Sequence, residues 1–69
     1  MPAKETIGGK LKRHRLQQGV TIPDLSEKSG VAVGTIWNVE NGIGDTQVST
    51  LQKIAEALGV TITLNDLNL

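Results

Sequence analysis

A chain of 69 residues without cysteine makes one small domain that hides only roughly 60% of its unfolded surface, so an oligomer is expected to help hold it. The missing thiols exclude disulfide staples and thiolate zinc sites. The polar start MPAKETIGGK and the lack of any apolar run near the ~20 residues of a membrane span point to a soluble, cytoplasmic protein with no membrane partner. Seven cations balance seven acids, but residues 1 to 18 hold five cations against Glu5 and residues 19 to 69 two lysines against six acids, or +4 and −4; the basic end suits phosphates, while the neutral total argues against sequence-blind nucleic-acid binding.

In chain order, Thr6 is placed to cap a first helix in which Ile7, Leu11 and His14 or Arg15 follow at helical spacing, with Gly19 as a left-handed stop. Gly8 and Gly9 weaken its first turn. Thr21-Ile22-Pro23-Asp24 resembles a capping box with proline tolerated in the first turn, and opens a second short helix that carries Leu25 and ends near Ser29-Gly30.

A third helix is expected from about Val33 to Glu40, stopped by Asn41-Gly42, a pair suited to positive φ. Within GTIWNVENG, Ile36 and Val39 share one helical face, while Gly34, Trp37, Asn38 and Asn41 fall on the other. The only aromatic residue of the chain thus lies on the polar side of a short helix. The loop IGDT follows, and Asp45 or Thr46 is placed to cap a fourth helix with an apolar stripe of Val48, Leu51, Ile54, Ala55 and Leu58, closed by Gly59.

The tail then changes period. Val60, Ile62 and Leu64 alternate with Thr61, Thr63 and Asn65 in a β-branched run, which predicts a strand over residues 60 to 65. A lone strand in a helical chain leaves its ladder unpaired, and the same strand of a second copy across a two-fold axis is the cheapest partner. The tail therefore predicts a homodimer through Val60, Ile62 and Leu64.

Two short helices joined by a tight turn need a small residue at their crossing, a glycine in the turn and an inward apolar residue on the second helix. Ser26, Gly30 and Ile36 supply these, and Leu25, Val31 and Val39 lock the pair onto helices one and four. The outer face of the third helix is left exposed, which is a helix-turn-helix arrangement.

At this point LKRHRLQQGVTIPDLSEKSGVAVGTIWNVENG resembles the Cro and C1 type of helix-turn-helix regulator, with the likeness covering nearly all of residues 7 to 59. The resemblance implies an all-α, four-to-five-helix lambda-repressor-like domain that binds double-stranded DNA as a homodimer. It also implies that Arg15 pairs with Glu40, bracing the first helix against the end of the recognition helix and holding Arg15 near a phosphate. By the same likeness Val33, Gly34, Trp37 and Asn38 read bases in the major groove, while Asn41, Lys10, Lys12, Arg13, Arg15 and the Thr35 hydroxyl meet the DNA backbone, with amides at the starts of helices two and four. Asn38 pairs with adenine and Val33 touches a thymine methyl in this scheme. The chain departs from the family at Ile22, where a glutamine is common, and at Asp45, where basic residues are. DTQVSTLQKIAEALGVTITLND is similar to the antitoxin repressors of Hip-type toxin–antitoxin pairs, which end in a dimerising strand and bring a toxin into view as a partner.

Other chemistries lack their parts. His14 has no second histidine or any cysteine beside it, so neither a metal site nor a nucleophile is assembled, and no cofactor is expected. Gly8-Gly9 and Gly42-Ile43-Gly44 do not follow a strand and open a helix with a lysine, as a phosphate-cradling loop must. Asp24 and Glu27 are accounted for by capping and solvation, and no enzyme is expected. KLKRHR is a solvated helix face by default, and Trp37 is partly buried by default. An exposed Trp37 also suits a partner protein, the alternative to DNA.

Overall fold

The structure is a computed structural model that describes residues 6–63. Among these residues it contains four helices and no strand: α1 (Ile7–Gln17), α2 (Ile22–Ser29), α3 (Val33–Glu40) and α4 (Val48–Leu58). Residues 60 to 63 carry no regular secondary structure, and the remainder of the strand expected over residues 60 to 65 lies outside the described residues. Val60 and Ile62 pack, half-buried, against the core.

The helix ends follow from local chemistry. Thr6 accepts the Gly9 amide on its hydroxyl at 3.0 Å, and Thr21 accepts that of Asp24 at 3.2 Å, so α1 and α2 each gain a partner for one orphan donor of the first turn. Gly30, left-handed at φ 75°, ends α2 by donating to the Ser26 carbonyl at 2.9 Å. The chain then turns through residues 30 to 32 directly into α3. A side chain at Gly30 would be strained by that φ, and the turn could not be so short.

The core gathers a contribution from every helix: Leu11, Leu25, Ile36 and Ile54 are fully buried, with Val31, Val39, Leu51, Ala55 and Leu58 around them. Removing each of the leucine, isoleucine and valine side chains from water contributes roughly 1.5–3 kcal/mol before entropy is counted. Gly8, expected only to weaken a first turn, proves to be where α1 meets α3. A Cβ there would fall inside the Val39 carbonyl, so only glycine permits the approach.

Two local expectations are corrected at the start of α4. Its N-cap is Gln47 rather than Asp45 or Thr46, and no side chain caps it. Gly44, at φ 74°, turns the chain early, so the helix opens later, with the Gln47 carbonyl accepting from Thr50 and Leu51. Val48, counted in the apolar stripe, is 47% exposed. It stands in the first turn of the helix and lines an apolar hollow with Ile7, Val39 and Leu51.

Candidate nucleic-acid interface

The surface presented by α3 follows from which of its residues the core takes. Ile36, Val39 and Glu40 turn inward, and Val33 (46%), Gly34, Thr35, Trp37 (50%), Asn38 and Asn41 are exposed. Trp37 therefore stands half out of the protein on the outer face. Burying the aliphatic side at positions 36 and 39 fixes the helix phase, and the indole follows from that phase.

Beneath this face lies a buried ion pair. Arg15 donates from Nε to Oε2 of Glu40 at 2.7 Å and from Nη2 to Oε1 at 3.0 Å, a two-point contact between α1 and the last residue of α3. Its Nη1 donates to the Val20 carbonyl at 2.9 Å, tying in the turn before α2. Arg15 is 8% exposed and Glu40 9%. Each of the three guanidinium nitrogens thus has a protein acceptor, and the pair ties α1 to the end of α3. No buried side-chain nitrogen or oxygen among the described residues lacks a hydrogen-bond partner.

The end of α3 is secured separately. Asn41 donates both its backbone N–H, at 3.1 Å, and its side-chain Nδ2, at 2.8 Å, to the Trp37 carbonyl. That holds the Asn41 side-chain amide back against the helix terminus, on a carbonyl that its own backbone N–H also reaches.

Charge is unevenly placed. The only ionisable residue of α3 is Glu40, neutralised by Arg15, so the exposed face carries no charge of its own. Lys12 and Arg13 are exposed on α1, and Lys10 and His14 are half-buried. On the other flank, Thr35 and Asn38 share a shallow groove with Thr46, Gln47 and Thr50, with Asp45 contributing an acid to the same lining. The first amides of α4 open there without a side-chain cap. The family resemblance singles out Thr35 and Asn38 but not Gln47 or Thr50, and local spacing makes Thr46 a helix cap instead. Helical period carries no sign of this grouping, which exists only because the loop folds back beside α3. Leu16, 58% exposed on α1, is a further large apolar residue that periodicity does not flag.

A helix-turn-helix family model matches residues 11–65, most of the chain, and the chain belongs to that family, in its Cro/C1 type. The antitoxin HipB of Escherichia coli is 35% identical to it over 60 residues, which cover 87% of this chain and 64% of the antitoxin. The transcriptional regulator SinR of Bacillus subtilis is 28% identical over 57 residues, covering 81% of this chain and 51% of SinR. An uncharacterised helix-turn-helix transcriptional regulator of Sinorhizobium fredii is 30% identical over 61 residues, 88% of this chain and 79% of its own length. The chain therefore spans a little under two thirds of the antitoxin and about half of SinR. Family and regulator-named relatives point to a DNA-binding role. Among the described residues no group of acidic, histidine or cysteine side chains is arranged to hold a metal ion, and no helix is long and apolar enough to cross a membrane.

Proposed function

We propose that this chain is a sequence-specific, DNA-binding transcriptional regulator of the cytoplasm that represses by binding a pseudo-palindromic operator as a homodimer. The observation that carries this is the outer face of α3, exposed along its length while its inner face is locked by core packing and by the Arg15–Glu40 pair. A helix whose position is fixed from within and whose outer side chains stand open to solvent is preorganised for a major groove. Val33, Gly34, Trp37 and Asn38 are the base-reading set. Lys10, Lys12, Arg13, Thr35 and Asn41, with the first amides of α2 and α4, serve the phosphates, and Arg15 supports them from behind.

The homodimer rests on the alternating tail and on the size of the chain. Two copies would present two α3 helices to half-sites about 34–36 Å apart.

Trp37 is the only tryptophan in a chain without tyrosine, so its fluorescence reports on this face alone. The test is a titration with duplex DNA from upstream of the chain's own gene and with scrambled DNA, at two salt concentrations. A saturable change with the upstream duplex that weakens as salt rises is the expected result. No change, with labelled-DNA anisotropy also flat, would overturn the proposal.

A second reading is favoured by two specific observations: the exposed apolar pair Val33 and Trp37 on a face without charge, and a relative named as an antitoxin. In it the α3 face holds a partner protein, a toxin among the options. Asn38→Ala separates the two, since it relaxes sequence preference on DNA but leaves an apolar protein contact nearly unchanged.

A further inference from the structure

The composition of the α3 face says which bases it suits. In the major groove guanine offers two acceptors, O6 and N7, whose usual partners are the forked or clustered donors of arginine and lysine; adenine offers an acceptor and a donor, N7 and N6, which match one asparagine amide; thymine alone offers a methyl group. The helix VGTIWNVE contains no arginine or lysine. Of the two asparagine amides at α3 and its C-cap, that of Asn41 is drawn back onto the Trp37 carbonyl at 2.8 Å, leaving that of Asn38 as the amide on the exposed face of the helix. Thr35 adds a hydroxyl, and the large exposed side chains, Val33 and Trp37, are apolar and stand about one turn apart.

Gly34 adds an independent observation. A glycine inside a helix costs stability, and it is usually explained by a neighbour that needs the room. Here a Cβ would meet nothing within 4 Å, in contrast to Gly8, where a Cβ would collide with the Val39 carbonyl. The fold does not require Gly34, so the room it leaves lies outside the protein, beside Trp37 and Val33.

We infer that the α3 face reads an A·T-rich half-site core, seating thymine methyl groups against Val33 and Trp37 over the notch at Gly34 and pairing Asn38 with adenine. This rests on the DNA-binding function proposed above and names the base chemistry it recognises.

The test begins with in vitro selection of the full chain on random-sequence duplexes, which does not presuppose the operator. The selected half-site core is expected to be A·T. Uracil substituted for its thymines, removing only the methyl groups, weakens binding about fivefold or more, and 7-deaza-adenine does the same by removing N7. The uracil penalty shrinks in Trp37→Ala and disappears when Val33→Ala is added, and the 7-deaza penalty disappears in Asn38→Ala. Gly34→Ala raises the melting temperature yet weakens operator binding about tenfold or more, a pair of opposite effects that misfolding does not produce. A selected core of G·C pairs, or a thymine-to-uracil change without effect, overturns the A·T reading while leaving DNA regulation intact. Failure to select any duplex overturns both.

Discussion

At the scale of single residues, two glycines on partner helices have opposite meanings. Gly8 sits where α1 touches the backbone of α3, and Gly34 sits where nothing of the protein is near. Gly8→Ala should lower stability by about 1–3 kcal/mol in urea unfolding, because the colliding atom is backbone and does not rotate away. Gly34→Ala should raise it by about 0.5 kcal/mol or less, because Gly34 stands in the first turn of α3 and not mid-helix. Equal effects at the two positions would refute the packing assigned to Gly8. Arg15 and Glu40 form the other residue-scale device. Glu40→Ala leaves a buried guanidinium uncompensated and should cost about 3–5 kcal/mol, comparable to the whole stability expected of so small a core. Loss of the helical circular dichroism signal at 37 °C is the expected outcome. Arg15→Met combined with Glu40→Leu should restore much of it, since apolar replacements of similar volume carry no unpaired charge.

At the scale of elements, the helices are joined by contacts between their ends as well as through the core. Gln18, just after α1, donates its side-chain Nε2 to the Leu58 carbonyl at the end of α4 at 2.7 Å. That bond satisfies one of the last carbonyls of α4, while Gly59 turns the chain away at φ 71°. Gln18→Ala should cost about 0.5–1.5 kcal/mol. The loss should appear as faster amide hydrogen exchange in the last turn of α4, with the first turn of α1 unchanged. The start of α4 is the looser end, having no side-chain cap and an exposed Val48. It lies beside Thr35 and Asn38 of α3, so the uncapped amides adjoin the exposed face of α3.

At the scale of the whole molecule, the charges decide how binding responds to salt. A chain with no net charge draws its phosphate affinity from a few cations, so removing them should be conspicuous. Lys12→Ala with Arg13→Ala should weaken binding to all duplexes alike and make the slope of log K against log salt shallower by about 2 for each protomer, near 0.9 for each lost phosphate contact. An unchanged slope would place those two side chains away from DNA. The homodimer is tested by Ile62→Pro, which removes a ladder donor. Light scattering should then report monomers, and operator affinity should fall because two half-sites are no longer held together.

Much of the fold is legible in the order of residues alone. Thr6, Thr21, Gly30 and Gly59 mark helix ends by local chemistry, a side-chain oxygen near a free amide or a residue without a Cβ, and the stripe Leu51, Ile54, Ala55 and Leu58 marks a buried face by period alone. The outward phase of Trp37 follows from the same arithmetic applied to Ile36 and Val39, as does the helix-turn-helix order of α2 and α3. What only the tertiary structure decided depends on distance through space: that Gly8 is required by the Val39 carbonyl, that Val48 stays half out of the protein, that Gln47 and Thr50 stand beside Asn38, and that each guanidinium nitrogen of Arg15 has an acceptor within the protein. Period and capping act within a few residues along the chain, whereas these contacts join positions brought together by packing, which local sequence does not encode.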